Sequence, residues 1–161
     1  PPPSNMVQIY VAGDAERRKK GEPPEPAGFG AYAVEGGGVG EVFKISGQIT
    51  VSTPNVKTIT QNLSELVAFT RALQWAKTHG RARPICIRYN NEYAARIATG
   101  AWKAKKHKAF ASEARHAWAM LKRDGQVWMQ HTRPTAFESQ QAHALAAAGK
   151  QGTTTYAMTV S

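Results

Sequence analysis

Three shortages narrow the reading of this 161-residue chain. Cysteine is nearly absent: Cys86 is alone, so an internal disulfide and a cysteine-based zinc site are both excluded. It lies in the apolar run Pro84-Ile85-Cys86-Ile87, where it reads as a small hydrophobe and suits an intracellular, reducing compartment; cytoplasm, nucleus and organelle matrix are not distinguished. Long apolar stretches are missing as well. No run approaches the ~18 residues of a membrane span, and no signal or transit pattern is present. Acidic residues are scarce: 11 Asp and Glu face 21 Lys and Arg, a net charge of +10. That balance favours a polyanionic partner, nucleic acid before an anionic membrane, over a generally basic solvated surface. What is present is ordinary for one folded domain: 42% hydrophobic and 9% aromatic residues, and no internal repeat. The chain opens Pro1-Pro2-Pro3-Ser4 rather than with Met, as expected of a processed form or a piece of a longer protein.

Taken in order, residues 1–5 read as a linker end, because three prolines prefer an extended form. In 6–12, Val7, Ile9 and Val11 alternate with polar or amphipathic neighbours, a strand pattern. The loop Glu16-Arg17-Arg18-Lys19-Lys20 holds four adjacent cations, which read as a solvated tip or a phosphate contact. Residues 28–34 and 39–49 give two more strands around the turn Gly36-Gly37-Gly38, so 6–51 forms a three-strand antiparallel meander. Asn62 is placed to cap a helix with Glu65 three residues on, and Leu66, Phe69, Leu73 and Ala76 follow at helical spacing toward Gly80. Residues 84–89 read as a short buried parallel strand. A short helix over 92–99 ends at Gly100. A second, over 110–122, puts Phe110, Ala114, Ala117, Trp118 and Leu121 on one face. The strand 126–131 and a helix of about 137–148, stopped by Gly149, complete a domain over 6–150. The tail, 151–161, alternates polar and apolar residues and reads as an extended arm.

Four motifs sit on this framework. They are Tyr10-Val11-Ala12-Gly13-Asp14, Asn62-Leu63-Ser64-Glu65-Leu66, Asn90-Asn91-Glu92-Tyr93 and Ser139-Gln140-Gln141-Ala142-His143-Ala144-Leu145-Ala146. In these motifs and in element order the chain resembles type 1 ribonuclease H over nearly its whole length. The resemblance implies a mixed α/β fold: a five-stranded mixed sheet, order 3-2-1-4-5, flanked by helices. It also implies cleavage of the RNA strand of RNA–DNA hybrids by two metal ions held by four carboxylates. Two divalent cations ~3.5–4 Å apart need anionic oxygen ligands.

In the family's frame the four acids fall on Ala12, Glu65, Asn90 and His143, and Glu65 alone remains an acid. A methyl group at position 12 is then expected to face Glu65 and Asn90. Asp14 shares the strand parity of Ala12 but lies ~6.5 Å further on, in the loop; it substitutes for the lost acid only through a bulge just before Gly13. Glu65 keeps a second reading as a capping-box residue. His131 stands where the family carries a mobile histidine, and reads otherwise as a polar strand end. Trp102, Lys103, Lys105, Lys106 and Lys108, with Arg115, Lys122 and Arg123 downstream, occupy the region that grips DNA phosphates in the family. Interleaved cations and an aromatic suit phosphate contact and stacking, although Trp102 alone also fits a core.

The sequence therefore points to a catalytically inactive RNase H-like domain, without metal or other cofactor. Its partners are expected to be nucleic acid, RNA foremost, and neighbouring protein subunits, as in a ribosome or other ribonucleoprotein assembly. Two alternatives stay open: an active or residually active ribonuclease H using Mg²⁺, and a pure protein–protein scaffold docked through the sheet and tail.

Overall fold

The computed structural model describes residues 6–17, 20–36, 40–79, 83–125 and 127–159. The linker reading at 1–5, the turn residues Gly37 and Gly38, Gly80, Gln126 and the cations Arg18 and Lys19 lie outside the described residues.

The order of elements is β1 (Val7–Asp14), β2 (Ala27–Glu35), β3 (Gly40–Ile49), α1 (Gln61–His79), β4 (Ile85–Tyr89), α2 (Glu92–Thr99), α3 (Lys108–Arg123), β5 (Val127–His131), α4 (Phe137–Lys150) and β6 (Thr155–Met158). The first three strands form the antiparallel meander, and β4 and β5 add in parallel beside β1. The sheet order is β5-β4-β1-β2-β3-β6. The expected order is thus correct, and the expected count of five is short by one. The tail does not extend freely: β6 pairs antiparallel with β3, matching Phe43 to Met158 and Ile45 to Tyr156. Its alternation of polar and apolar residues is that of a strand laid on a sheet edge.

Strand alternation sends the two faces to different helices. Val7, Ile9 and Val11 join the larger core with Leu66, Phe69 and Leu73 of α1 and Ala111, Ala114 and Ala117 of α3. Each large side chain buried there contributes about 1.5–3 kcal/mol. Tyr10 and Ala12 face the other way, into a smaller cluster with Tyr32, Val34, Ala142 and Ala146 under α4. That helix is rich in alanine, so its backbone lies close to the sheet, and Ser46 Oγ donates to the Leu145 carbonyl at 2.5 Å. Gly149 does not stop α4, which continues to Lys150. A Cβ at 149 would collide with the backbone of Gly47, so this glycine serves close packing. In α3 the fully buried stripe is Ala111, Ala114 and Ala117, with Phe110, Trp118 and Leu121 only partly covered. Cys86 is buried as a small hydrophobe, and burial raises its thiol pKa. Among the described residues no helix is long and apolar enough to cross a membrane.

Candidate functional site

The four positions singled out by the motifs meet where β1 and β4 end beside the start of α1. The cap of α1 is Thr60, not Asn62. Thr60 Oγ1 accepts from Leu63 N–H at 3.0 Å, and the helix begins at Gln61. Asn62 is exposed in the first turn, and Glu65 is too far along the helix to close a capping box on Thr60. The Thr60 hydroxyl also meets His107 Nε2 at 2.9 Å. Burial and neighbouring Lys106 lower the pKa of that histidine.

Gln61, which no sequence motif singles out, fastens the strand to the helix. Its Oε1 accepts from Ala15 N–H at 2.9 Å, while its Nε2 donates to the Gly13 carbonyl at 2.8 Å and to Glu65 Oε1 at 3.0 Å. Gly13 is the point of closest approach: a Cβ there would lie 2.6 Å from Glu65 N.

Glu65 is 7% exposed, and its Oε2 is buried with no hydrogen-bond partner. Burial pushes its pKa up to about 7, against a smaller lowering by the Gln61 hydrogen bond. The carboxyl lines a hollow of only about 10 Å³ with Val11, Tyr89, Asn90, Asn91 and Ala94. That is close to the space of a single water.

Ala12 does not face this hollow. Its neighbours Val11 and Gly13 point toward α1, whereas Ala12 packs beneath α4 with Ala142. The expected line of sight from the Ala12 methyl to Glu65 is therefore corrected by the alternation of the strand. Asn90 bridges the two faces. It lines the Glu65 hollow, and its Nδ2 reaches His143 Nε2 at 2.7 Å and Ser139 Oγ at 3.5 Å. An amide N–H only donates, so the imidazole accepts at Nε2 and carries its proton at Nδ1. Burial lowers the His143 pKa, outweighing the raising effect of Asp14, in keeping with a neutral ring.

Asp14 is the last residue of β1, not a loop residue, and the β1–β2 register runs unbroken from Val7 to Asp14. No bulge precedes Gly13, so Asp14 does not move into the position of Ala12. Its carboxylate lies 3.6 Å from Lys150 Nζ, which also contacts Glu16. His131 ends β5, exposed, with its ring edge-on to Tyr89 at 5.8 Å.

This donor set does not fit a pair of divalent cations. Ala12 offers no donor, Asn90 offers no charge, and the Nε2 lone pair of His143 is occupied by Asn90. Among the described residues no group of three or more His, Cys, Asp or Glu side chains could hold a metal ion.

A larger concavity lies beside the start of α1. Thr60, Asn62, Tyr93, Ile97, Trp102, Lys103, Lys105, Lys106 and His107 line a groove of about 360 Å³. Trp102 is 46% exposed and so is not a core residue. Lys108 is exposed at the start of α3, outside the groove lining. Arg115 is a brace: it donates to the carbonyls of Ile97 and Trp102 at 3.1 and 3.0 Å, fixing the loop that carries the aromatic. Lys122 lies over the Trp118 ring, and Arg123 meets Met120 Sδ. Of the first basic cluster, Arg17 and Lys20 are exposed, and Arg17 shares a hollow with Glu16, Glu22 and Glu25. Those carboxylates offset its charge, so the Trp102 groove is the better anion-facing surface.

No protein-family model and no curated protein sequence matches the chain. Solved structures do. RNase H1 from the halophilic archaeon Halobacterium salinarum NRC-1 is 25% identical, with 91% of this chain and 98% of that chain covered at a TM-score of 0.65. LC11-RNase H1, in complex with an RNA/DNA hybrid, is 22% identical over 90% and 96% of the two chains, with a TM-score of 0.66. The foamy viral protease–reverse transcriptase in complex with dsDNA is 20% identical over 89% and 93%, with a TM-score of 0.65. The fold is RNase H-like.

Proposed function

We propose that this chain is a catalytically silent RNase H-like domain that binds nucleic acid, and that it works as a binding or structural subunit of a ribonucleoprotein or similar assembly. The observation that carries the silent part is the Asn90–His143 hydrogen bond. Two positions where the family's frame calls for metal-binding acids are instead an amide and an imidazole satisfied by each other. Ala12 adds a third loss, and Glu65 remains, buried, with one oxygen unpartnered. The groove beside Trp102 carries the binding part. Three lysines can track phosphates while an exposed indole offers a stacking surface. Structural neighbours that hold an RNA/DNA hybrid or dsDNA support a nucleic-acid partner, and the net charge of +10 supports it independently.

Two measurements test the reading. Filter binding of RNA, duplex and hybrid across a salt series should show affinity that falls steeply with salt; negligible binding at low salt sinks the nucleic-acid part. Incubation with labelled hybrid and Mg²⁺ or Mn²⁺ should leave the hybrid intact. Cleavage that disappears in Glu65→Ala would instead establish the enzyme.

A further inference from the structure

The Trp102 groove holds more than a row of cations. Its space of about 360 Å³ falls within the ~300–1,000 Å³ of small-molecule sites, room to take in a chemical group rather than only touch a backbone. Two kinds of surface meet in it. Trp102 stands on the loop between α2 and α3, and Tyr93 and Ile97, one helical turn apart, line the groove from α2. Around them come Lys103, Lys105 and Lys106, all exposed, and no acid is among the described residues that line it. On the α1 side, the exposed Asn62 side chain has no hydrogen-bond partner among the described residues.

The loop that carries this chemistry is fixed, while its side chains are not. Trp102 N–H donates to the Arg96 carbonyl at 3.1 Å, and the Trp102 carbonyl accepts from Arg115 at 3.0 Å. Ala104 packs against the core, and at the far end His107 Nε2 meets Thr60 Oγ1 at 2.9 Å. A backbone tied in this way presents a 46% exposed indole with little ordering left to do on binding. Inside a duplex both faces of a base are already stacked, and a narrow groove on a protein surface meets mostly sugar and phosphate. An indole face beside a partly apolar recess is matched by a base that has left its stack, with lysines on the flanking phosphates. Taking that base from a duplex costs unpairing and unstacking; a single strand offers it at far smaller cost.

We propose that the Trp102 groove is a single-strand site: it takes one unpaired nucleotide, base against the indole, and binds single-stranded RNA or DNA in preference to duplex or hybrid. This rests on the nucleic-acid reading of the groove and narrows it. Charge density alone favours a duplex, so the order of affinities separates base capture from simple attraction to phosphates.

Filter binding with the full chain compares oligo(U) and oligo(dT) of about 12 nucleotides with a DNA duplex and an RNA–DNA hybrid of the same length, at one low salt concentration. One or both single strands should bind about tenfold tighter than duplex and hybrid, and the tighter of the two names the preferred sugar. An oligo(dT) carrying abasic sites, which keeps every phosphate, should lose about tenfold against the intact strand. Trp102→Ala should lose as much on single strands and less on duplex, and Trp102→Phe should recover most of it. Three results each overturn the single-strand preference alone: duplex or hybrid bound as tightly as the single strands, an abasic strand bound as well as an intact one, or an equal loss on every probe in Trp102→Ala. Negligible binding of all probes overturns the nucleic-acid reading together with it.

Discussion

Replacing Glu65 by Gln should make this protein more stable at alkaline pH and leave it nearly unchanged in acid. The carboxyl is almost fully buried, and its pKa is raised from 4.5 to about 7. Between those values the folded chain holds a proton that the unfolded chain has released. Stability then falls as pH rises through this window, and the contribution of the protonated form is gone above the folded pKa. Two and a half decades at ~1.36 kcal/mol each set the full cost at about 3 kcal/mol, of which about 2.5 kcal/mol falls between pH 5 and pH 8. The glutamine side chain of the variant is isosteric and neutral, and its carbonyl can still accept from Gln61 Nε2 as Glu65 Oε1 does. Its amide N–H₂ replaces an oxygen that has no partner, much as the protonated acid presents an O–H there. Urea melts of both proteins at the two pH values give the difference directly. Other titrating groups, His143 and His107 among them, cancel in the comparison. With an m-value of ~2 kcal/mol/M the variant should gain about 1 M in midpoint relative to wild type on going from pH 5 to pH 8. Midpoints that move in parallel would refute a buried, desolvated Glu65. Millimolar Mg²⁺ that restored the wild-type midpoint at pH 8, without affecting the variant, would show a cation at Glu65 and revive the enzymatic reading.

Other perturbations read other parts of the structure. Converting Lys103, Lys105 and Lys106 together to Ala should lower the log–log salt slope of duplex binding by about 0.9 for each phosphate that is no longer neutralised, measured by filter binding; an unchanged slope would move the interface elsewhere. Thr60→Ala should cost about 1 kcal/mol by urea denaturation, because α1 loses its cap and the His107 ring its partner, and Thr60→Ser should recover most of it. Gly13→Ala places a methyl against the backbone of Ser64 and Glu65 and should destabilise by about 1–3 kcal/mol in the same assay. Deleting 153–161 exposes the β3 edge and should promote self-association, read by sedimentation; a monomer of unchanged stability would mean that β6 contributes little.

The fold is legible in the sequence because most elements carry their own signal. Alternation marks β1 to β3, and a short, almost wholly apolar run marks β4 as an interior parallel strand. The tail alternates as well, but four residues with one aromatic look the same free or paired; only Phe43 and Ile45, more than a hundred positions away, make them a strand. The cap of α1 is ambiguous for a related reason. Thr60 and Asn62 are both good caps, and the spacing to Glu65 favours Asn62. The choice between them falls to Gln61, whose side chain reaches back to Gly13 and Ala15 and fixes where the helix can start.

Which side chains stand at the four positions of the family's frame can be read from register, but not how their charges are balanced. The site is divided by the sheet: Glu65 lies on the α1 face, Ala12 and His143 on the α4 side, with Asn90 spanning the two. A cluster of carboxylates across such a division repels itself unless cations hold it together. Here each piece is settled locally. An alanine packs under α4, an amide and an imidazole satisfy one another, Lys150 partners Asp14, and burial favours the neutral form of Glu65. On the proposed reading, each of these local arrangements leaves its position without a call for metal. Restoring a single acid should therefore not restore a metal site. Asn90→Asp alone would place a second carboxyl beside the Glu65 hollow without the ligand at position 12, and is expected to lower stability at neutral pH rather than to confer Mg²⁺-dependent cleavage. Unfolding midpoints and hybrid digestion with and without Mg²⁺ separate these outcomes, and cleavage by that single variant would mean that the site is far closer to a working centre than its donors imply.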